Sequence, residues 1–300
     1  MALVRRADPV DLVLPTTGDE SRAARRGRLR RWLPIGIGLA LAVLMIVVAA
    51  AAPLIAPLSP SAQFSDAVLK GPGASERHFL GTDEFGRDIL SRIIWGARVS
   101  LEVGLASVVF AFALGVPLGI VAGVRGGRVE TLIMRGADML MAFPTLLLAL
   151  IIVTALGGTL TNEVVAIGVA LTPNFLRLAR SLALTIREQD YILAARAIGS
   201  GQLRVMARHV FPNTLYALVV VATLYIATAI RTEASLSFLG LGIPPPTPSW
   251  GNILSEGRQY IKCCPWITTF SGLAIMVAVL AFNLVGDALR DLLDPRLKGE

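Results

Sequence analysis

The chain alternates long apolar stretches with shorter polar ones. Six apolar stretches stand out, at residues 33–58, 99–124, 131–156, 164–176, 212–230 and 267–285. A membrane-spanning helix needs about 20 mostly apolar residues, and all but the fourth stretch approach or exceed that length. The fourth contains Pro173, but the alternation of inner and outer loops requires a crossing there. The pattern therefore predicts an all-α polytopic membrane protein with six transmembrane helices.

Composition agrees with a membrane protein and removes several function classes. Hydrophobic residues make up 54% of the chain, charged residues 16%, and the mean hydropathy is +0.67, values that exclude an ordinary soluble domain. The net charge of +7 comes from arginines beside apolar spans rather than from a basic face with aromatics, so no nucleic-acid partner is expected.

Sequence motifs for ATP binding or metal catalysis are missing. None of the three lysines follows a glycine and precedes Ser or Thr, so the chain has no phosphate-binding loop. It has two histidines and no HExxH motif, which makes a histidine-rich metal or catalytic centre improbable. We expect no cofactor, no metal and no enzymatic activity in this chain.

The basic residues predict the orientation. Of the 28 basic residues, 19 fall in segments that are internal if the N-terminus is cytoplasmic, and seven fall in external ones. The positive-inside rule supports this arrangement. It gives a basic cytoplasmic tail at 1–32, a first transmembrane helix at 33–58, an external segment at 59–98, a five-helix core at 99–290 and a cytoplasmic tail at 291–300.

A polar stretch at 189–213 separates the fourth and fifth apolar stretches. Asp190 is a suitable N-cap and Gly199 a suitable C′ residue, so a short helix is predicted over 190–199. Its small apolar residues recur at helical spacing and leave Arg196 off their face. That face consists of Tyr191, Ala194, Ala195 and Ile198. Two readings remain open: a surface helix in the lipid headgroup layer, or a plug that docks into a groove on a soluble partner.

This stretch resembles the EAA loop of ABC-importer permeases. The match consists of AARAIG at 194–199 and RHVFPN at 208–213. The resemblance implies a cytoplasmic coupling helix that docks on an ATP-binding subunit. The coupling residues it implies are Asp190, Tyr191, Leu193, Ala194, Ala195, Arg196 and Gly199.

One departure from the EAA pattern concerns the residue that gives it its name. The family's Glu would fall at 193, where this chain has Leu193. Since Leu193 is the predicted N3 residue, no capping box with Asp190 can form. We expect either a weaker start to this helix or an ATPase groove that prefers an apolar contact.

Three other stretches resemble the C-type subunit of dipeptide and oligopeptide importers. They are GTDEFGRD at 81–88, LSFLGLGIPPPTPSWG at 236–251 and DALRDLLDPR at 287–296. The resemblance covers roughly 70–296 and implies the type I ABC-importer permease fold in a bacterial inner membrane. It also implies a homologous second permease, two ATP-binding subunits and an extracytoplasmic substrate-binding protein.

The resemblance leaves the substrate open. A di- or oligopeptide is expected, with nickel or haem as alternatives carried by related permeases. An intramembrane enzyme would need inward-facing Ser, Asp or His residues at suitable spacing, which the spans do not offer. A stand-alone secondary transporter usually shows internal repeats, and none is evident.

Acidic residues near the start of the core raise a different possibility. Asp83, Glu84 and Asp88 could suggest a metal site, but hard-cation loops supply more closely spaced oxygens. Arg87 and Arg92 are well placed to neutralise these carboxylates. The sequence therefore favours a structural ionic cluster over a metal site.

Charges within the spans give candidates for the translocation path. Arg135 and Asp138 lie one helical turn apart and are expected to pair with each other, since isolated charges at the bilayer centre are costly. Asp138 and Glu233 are candidate lining residues. Pro144 is expected to kink the third span.

The two cysteines, Cys263 and Cys264, are neighbours in the sequence. A bridge between adjacent cysteines is strained. The sequence alone thus favours an ordinary or partner-linked role over a redox site.

Overall fold

The structure, a computed structural model, describes residues 35–74 and 76–293. The predicted N-terminal tail at 1–32 lies outside the described residues, as does the predicted C-terminal tail at 291–300 except for residues 291–293, which are the end of the last helix. Within the described residues the fold is all-α, as predicted, and the only β feature is an isolated bridge between Thr82 and Asp88.

Nine helices of eight or more residues organise the described part of the chain. They are α1 (Ile35–Ala50), α2 (Ile89–Arg125), α3 (Gly127–Met141), α4 (Thr145–Leu156), α5 (Leu160–Arg187), α6 (Asp190–Ala197), α7 (Gln202–Phe238), α8 (Trp250–Gly257) and α9 (Trp266–Leu293). The predicted first span, 33–58, is thus a shorter helix, followed by the single turn Ala52–Ile55.

Helix α7 runs from α6 towards α8 and defines two ends of the molecule. At 1.5 Å per residue, its 37 residues span about 55 Å. We call the end that carries α6 the α6 end and the opposite one the α8 end.

Helix α2 begins about ten residues earlier than predicted. Asp88 is its N-cap, and the Ser91 backbone N–H donates to the Asp88 carboxylate at 2.8 Å. An aspartate in this position satisfies one of the free N–H groups of the first turn. The predicted helix start at residue 99 was too late, because hydropathy does not register a cap placed within a charged stretch.

The predicted third span is two helices rather than one. Helices α3 and α4 are bent by 88° at the break that ends in Pro144. Pro144 ends the first helix, as its missing N–H and the restriction on the preceding residue require. The kink was correctly placed, but it is large enough to separate the predicted span into two helices. The first of them, α3, is amphipathic, and Ala137 is its one buried residue.

The fourth and fifth predicted spans are longer than their uncharged cores. Helix α5 continues through Pro173 to Arg187. Helix α7 begins ten residues before the predicted span at 212–230, because a π-helical turn, Met206–Val210, joins residues 202–205 to the rest. Pro212 follows this turn near the start of the regular α-helix, where a proline is tolerated.

The exterior of the bundle is apolar, as expected for a protein in lipid. By length and composition α2, α7 and α9 could each cross a membrane, and α3–α4 together could form a fourth crossing. Helix α1 is apolar but has 16 described residues, and α5 has 28 residues. The six predicted crossings need both of these helices as well.

Three glycines bring α2 and α5 into close contact along their length. Gly115, Gly119 and Gly123 are spaced four residues apart, so they lie on one face of α2. A Cβ at Gly115 would lie 2.6 Å from the Thr172 carbonyl oxygen, and one at Gly123 would lie 2.8 Å from the Ala183 Cβ. Small residues at this spacing let helix backbones approach each other in membranes.

Replacing Gly119 tests this contact. A Cβ at Gly119 would lie 2.8 Å from the Ala179 Cβ, so Gly119→Ala should force α2 and α5 apart and cost about 1–3 kcal/mol of stability. Thermal unfolding of the detergent-solubilised protein measures this effect. Gly136→Ala is the matched control, because a Cβ at Gly136 meets nothing within 4 Å. Equal stability of the two variants would contradict the close contact.

Candidate functional site

The short helix α6 begins one residue earlier than its predicted cap implies. Gln189 is the N-cap residue, with no side-chain capping bond, and Asp190 is the first helical residue. The prediction of Asp190 as N-cap was wrong, and Leu193 is the N4 residue rather than N3. Asp190 still lies in the first turn, where a carboxylate interacts favourably with the helix dipole.

The C-terminal end of α6 is closed as the sequence predicts. Gly199 has a φ of +88°, a conformation that glycine adopts without strain. The N–H of Gly199 donates to the Arg196 carbonyl at 2.9 Å, and that of Ser200 donates to the Ala195 carbonyl at 3.0 Å. This pair of bonds is a Schellman motif.

Helix α6 is attached to the bundle by one fully buried side chain, that of Ile192. The predicted small apolar face points away from the bundle: Tyr191 and Ala194 are exposed, and Ile198 is 85% exposed. Leu203, at the start of α7, is 76% exposed. Large apolar side chains therefore form an exposed surface at the α6 end. We call it the α6 ridge, and its members are Tyr191, Leu193, Ile198 and Leu203.

The polar members of the predicted coupling set lie beside this ridge. Arg196 and Asp190 are exposed. The Tyr191 ring lies 6.3 Å from the His209 ring of α7, measured between centroids. Helix α6 is thus positioned from both sides, by a short connection to α5 and by the start of α7.

Ion pairs tie α3 to α5 at the α6 end. Arg180 pairs with Glu130, and Arg177 donates to Asp138 at 2.6 Å. The sequence prediction that Asp138 pairs with Arg135 was wrong. Helix α5 packs alongside α3, and Arg177 of α5 is the residue that reaches Asp138. Both members of the Asp138 pair are exposed, so this pair contributes little to stability.

A buried ionic cluster lies at the α8 end. The Asp83 carboxylate accepts from Arg87 Nε at 2.6 Å and from Arg92 Nη1 at 2.5 Å. The same two arginines reach Glu256 of α8 at 2.9 Å and 2.7 Å. The sequence predicted that Arg87 and Arg92 neutralise the acidic residues but gave no sign that Glu256, 169 residues after Arg87, joins them.

This cluster is a poor fit to a metal ion. Oxygen atoms of Asp83, Glu84 and Glu256 lie within 4.8 Å of one another, but Arg87 bonds to all three of these residues. Each carboxylate therefore already has a cationic partner. Asp88 caps α2 and also bonds to His78 at 3.1 Å, so its oxygens are engaged as well.

Glu233 lies inside this subunit near the α8 end. Its carboxylate is fully buried and accepts from Ser100 at 3.0 Å and from Ser237 at 3.1 Å. The Ser100 hydroxyl in turn accepts from the Trp250 backbone N–H at 3.3 Å. These bonds connect α2, α7 and α8. Glu163, also buried, has no hydrogen-bond partner on its carboxylate.

An open cavity of about 530 Å³ lies next to this network. Its walls come from the end of α4, the turn after it and the loop that leads into α8. Ser237 and Glu256 line it, but both already bond to other side chains. Most of its other lining residues are glycines, prolines and apolar side chains, so it offers no constellation suited to catalysis.

The predicted site residues are therefore not brought together in one place. The coupling residues lie on α6 or directly after it, next to the start of α7. Glu233 lies 31 residues after the first residue of α7, which is about 45 Å along the helix at 1.5 Å per residue. The exposed α6 ridge and the buried Glu233 network thus lie at opposite ends of an apolar bundle.

The bundle of long apolar helices, together with the family match, defines the class: a membrane permease subunit. Residues 115–299 match the family model for the "Binding-protein-dependent transport system inner membrane component". This match covers more than half of the chain, which belongs to that family of ABC-transporter permeases.

Relatives with high identity extend over most of the chain. The di/tripeptide transport system permease protein DppC of Pseudomonas aeruginosa is 47% identical, covering 87% of this chain and 88% of the relative. The dipeptide transport system permease protein DppC of Escherichia coli K12 is 46% identical, with 87% and 89% covered. A putative peptide transport system permease protein of Brucella abortus is 44% identical over 98% of each chain.

Solved structures support the type I permease fold. A chain from inward-facing conformations of the MetNI methionine ABC transporter superposes with a TM-score of 0.57 and is 20% identical. It covers 68% of this chain, and this chain covers 97% of it. At that identity the likeness concerns the fold alone.

Removing the acidic centre of the ionic cluster should destabilise the protein. Asp83→Asn leaves Arg87 and Arg92 buried with a weakened partner, and breaking a buried pair costs about 3–5 kcal/mol. We expect a large drop in the thermal unfolding temperature of the purified protein. Asp66→Asn, at an exposed site, is the control and should leave that temperature unchanged; a similar drop there would contradict the assignment.

Glu84 should behave differently from its neighbour. One of its carboxylate oxygens is buried without a partner, and burial raises the pKa of Glu84 above its ordinary value of 4.5. The Glu84 carboxyl therefore holds its proton more tightly in the folded state than in the unfolded state. The free energy of unfolding of the native protein consequently falls as the pH rises through the folded-state pKa of Glu84. Glu84→Gln should match the native protein at acidic pH and equal or exceed its unfolding temperature near pH 8. A drop near pH 8 would contradict this prediction.

Proposed function

We propose that this chain is one of two membrane subunits of an ATP-driven importer of di- and oligopeptides. The names of the relatives from Pseudomonas aeruginosa, Escherichia coli and Brucella abortus, at 44–47% identity, support the peptide class. A homologous second permease would complete the translocation path, and a separate extracytoplasmic binding protein would deliver the substrate.

The observation that carries the proposal is the α6 ridge. Exposed large apolar side chains beside charged residues, on a helix whose one fully buried side chain is that of Ile192, favour a protein partner over solvent. We propose that an ATP-binding subunit covers the ridge, with Ile198 and Tyr191 as anchors. The chain itself is not an enzyme in this scheme, because ATP hydrolysis takes place in two partner subunits.

Force would pass from the ATPases into the bundle through α6. The proposed coupling set is Asp190, Tyr191, Leu193, Ala194, Ala195, Arg196 and Gly199. Because α6 is short and closed by the Schellman motif at Gly199, it can move as a rigid unit. Closure of the ATPase pair would push this unit and tilt α5 and α7, a rigid-body change between inward- and outward-facing states.

The proposed orientation places the α6 end and both termini in the cytoplasm of a bacterial cell. The excess of basic residues at that end supports it. The α8 end then faces the extracytoplasmic side, where the binding protein would dock.

Lining roles for Asp138 and Glu233 remain proposals with unequal support. Asp138 is exposed at the α6 end and could face a path shared with the second permease. Glu233 is fully buried between α2, α7 and α8. A lining role for Glu233 would need these helices to separate during transport.

Substituting the most exposed residue of the ridge tests ATPase docking. Ile198→Glu puts a charge into the proposed apolar contact, so ATP-binding subunits should be lost when the tagged chain is purified from native membranes. The second permease should still be recovered. Phe79→Glu is the matched control, since Phe79 is 64% exposed and lies at the other end. Full recovery of the ATPases with Ile198→Glu would refute the assigned docking surface.

The substrate class is tested by transport in a strain that lacks this chain. Uptake of a labelled dipeptide should fall at least about tenfold in the deletion strain and return when the native chain is supplied, but not with Ile198→Glu. Nickel and haem uptake are measured in parallel. Loss of either of those activities, with dipeptide uptake intact, would replace the peptide assignment with the corresponding alternative.

A further inference from the structure

The two cysteines lie in a tight turn just before α9. The backbone N–H groups of Cys263 and Cys264 both donate to the Tyr260 carbonyl, at 3.1 Å and 2.8 Å. Cys263 is exposed, and Cys264 is buried. The turn therefore presents one thiol to solvent and keeps its neighbour directly behind it.

The sulfur atoms face each other. Cys264 Sγ donates to Cys263 Sγ at 2.7 Å, and Cys263 Sγ contacts the Tyr260 carbonyl oxygen at 3.3 Å. Adjacent side chains usually point apart, and here the turn at Tyr260 aligns them. The sequence alone favoured an ordinary role, because it does not contain this alignment.

The environment gives the two thiols different chemistry. Cys264 packs in a small cluster with Ile89, Ile253 and Ile267. Burial, together with the contact to Cys263, raises the pKa of Cys264 to about 11. Cys263 is exposed, so it is the thiol that an external disulfide can reach, and its thiolate form is the nucleophile.

We propose that Cys263 and Cys264 form a redox-active pair that closes reversibly to an intramolecular disulfide. The oxidant is a low-molecular-weight disulfide or a disulfide-bearing protein. The Cys263 thiolate attacks one sulfur of the oxidant and releases the other as a thiolate. Cys264 then loses its proton and attacks Cys263 Sγ, which releases the second thiolate. Two thiols are oxidised, and one external disulfide is reduced to two thiols.

Ring strain makes this disulfide easy to reduce. A bridge between neighbouring residues departs from relaxed disulfide geometry, and strained or exposed bridges are the labile ones. The assignment of this chemistry to an oxidising compartment rests on the orientation proposed above, which puts the turn on the extracytoplasmic side. The reactivity of the pair itself does not depend on that orientation.

The chain has no other cysteine, so alkylation reports on this pair alone. The reduced, purified full chain is incubated with oxidised glutathione, denatured, treated with a maleimide and weighed by intact mass spectrometry. We expect a chain two hydrogen atoms lighter that takes up no maleimide, and two maleimides after reduction. A chain that keeps glutathione, takes up two maleimides without reduction or forms a disulfide-linked dimer would overturn the proposal.

Single substitutions assign the two roles. Cys264→Ser should accumulate the mixed disulfide of Cys263 with glutathione, because no second thiol can displace it. Cys263→Ser should react about tenfold more slowly than Cys264→Ser, since its remaining thiol is buried. If the native chain keeps as much glutathione as Cys264→Ser does, Cys264 takes no part, and the proposal is wrong.

The orientation is tested separately. Intact cells that produce Cys264→Ser are reduced and treated with a membrane-impermeant maleimide. Labelling of Cys263 is expected if the α8 end is extracytoplasmic. Absence of labelling, alongside normal labelling after lysis, would overturn the orientation without affecting the result for the purified protein.

Discussion

Three glycines set the distance between α2 and α5, and the other long helices pack around that pair. In lipid the hydrophobic effect does not drive helices together, so close backbone approach and dispersion must do so. Gly115, Gly119 and Gly123 provide that approach along about two turns of α2. Gly104, nearer the start of the same helix, admits Ile230 of α7 in the same way. The arrangement of α2, α5 and α7 therefore depends on positions without side chains, and the apolar side chains fill the space that these positions define.

Charged groups are concentrated at the two ends of this bundle, and they serve different purposes there. At the α8 end, Asp83 accepts from two guanidinium groups and from the backbone N–H groups of Phe85 and Arg87. A buried carboxylate with this many donors is stable where a single pair would not repay its desolvation. The pairs at the α6 end are partly or largely exposed and can be broken at little cost. The α8 end is thus the rigid one, and the α6 end is the one that can rearrange.

The sequence predicted the helical class, the bend at Pro144, the end of α6 at Gly199 and the neutralisation of Asp83 by arginine. Each depends on residues close together in the chain. The start of α2 was misplaced because one hydrogen bond from Ser91 to Asp88 decides it. The partners of Asp138 and Glu256 were missed because they come from distant helices. The glycine spacing on α2 was visible in the sequence, but its partner on α5 was not. For the same reason no hydropathy pattern could reveal that the sulfur atoms of adjacent cysteines face each other.

The two ends of α6 differ in a way that bears on how the docking helix would act. Its N-terminus has no side-chain cap and joins α5 through two residues, Glu188 and Gln189. Its C-terminus is closed by two backbone hydrogen bonds at Gly199 and Ser200, and α7 begins two residues later. The N-terminal junction is nevertheless held by backbone bonds, since the Gln189 N–H donates to the Ile186 carbonyl and the Gln189 carbonyl accepts from Ile192 and Leu193. On the proposed function, a push on the α6 ridge would pass through both junctions, into α5 and into α7, whose continuous helix leads to Glu233 and the network beneath α8.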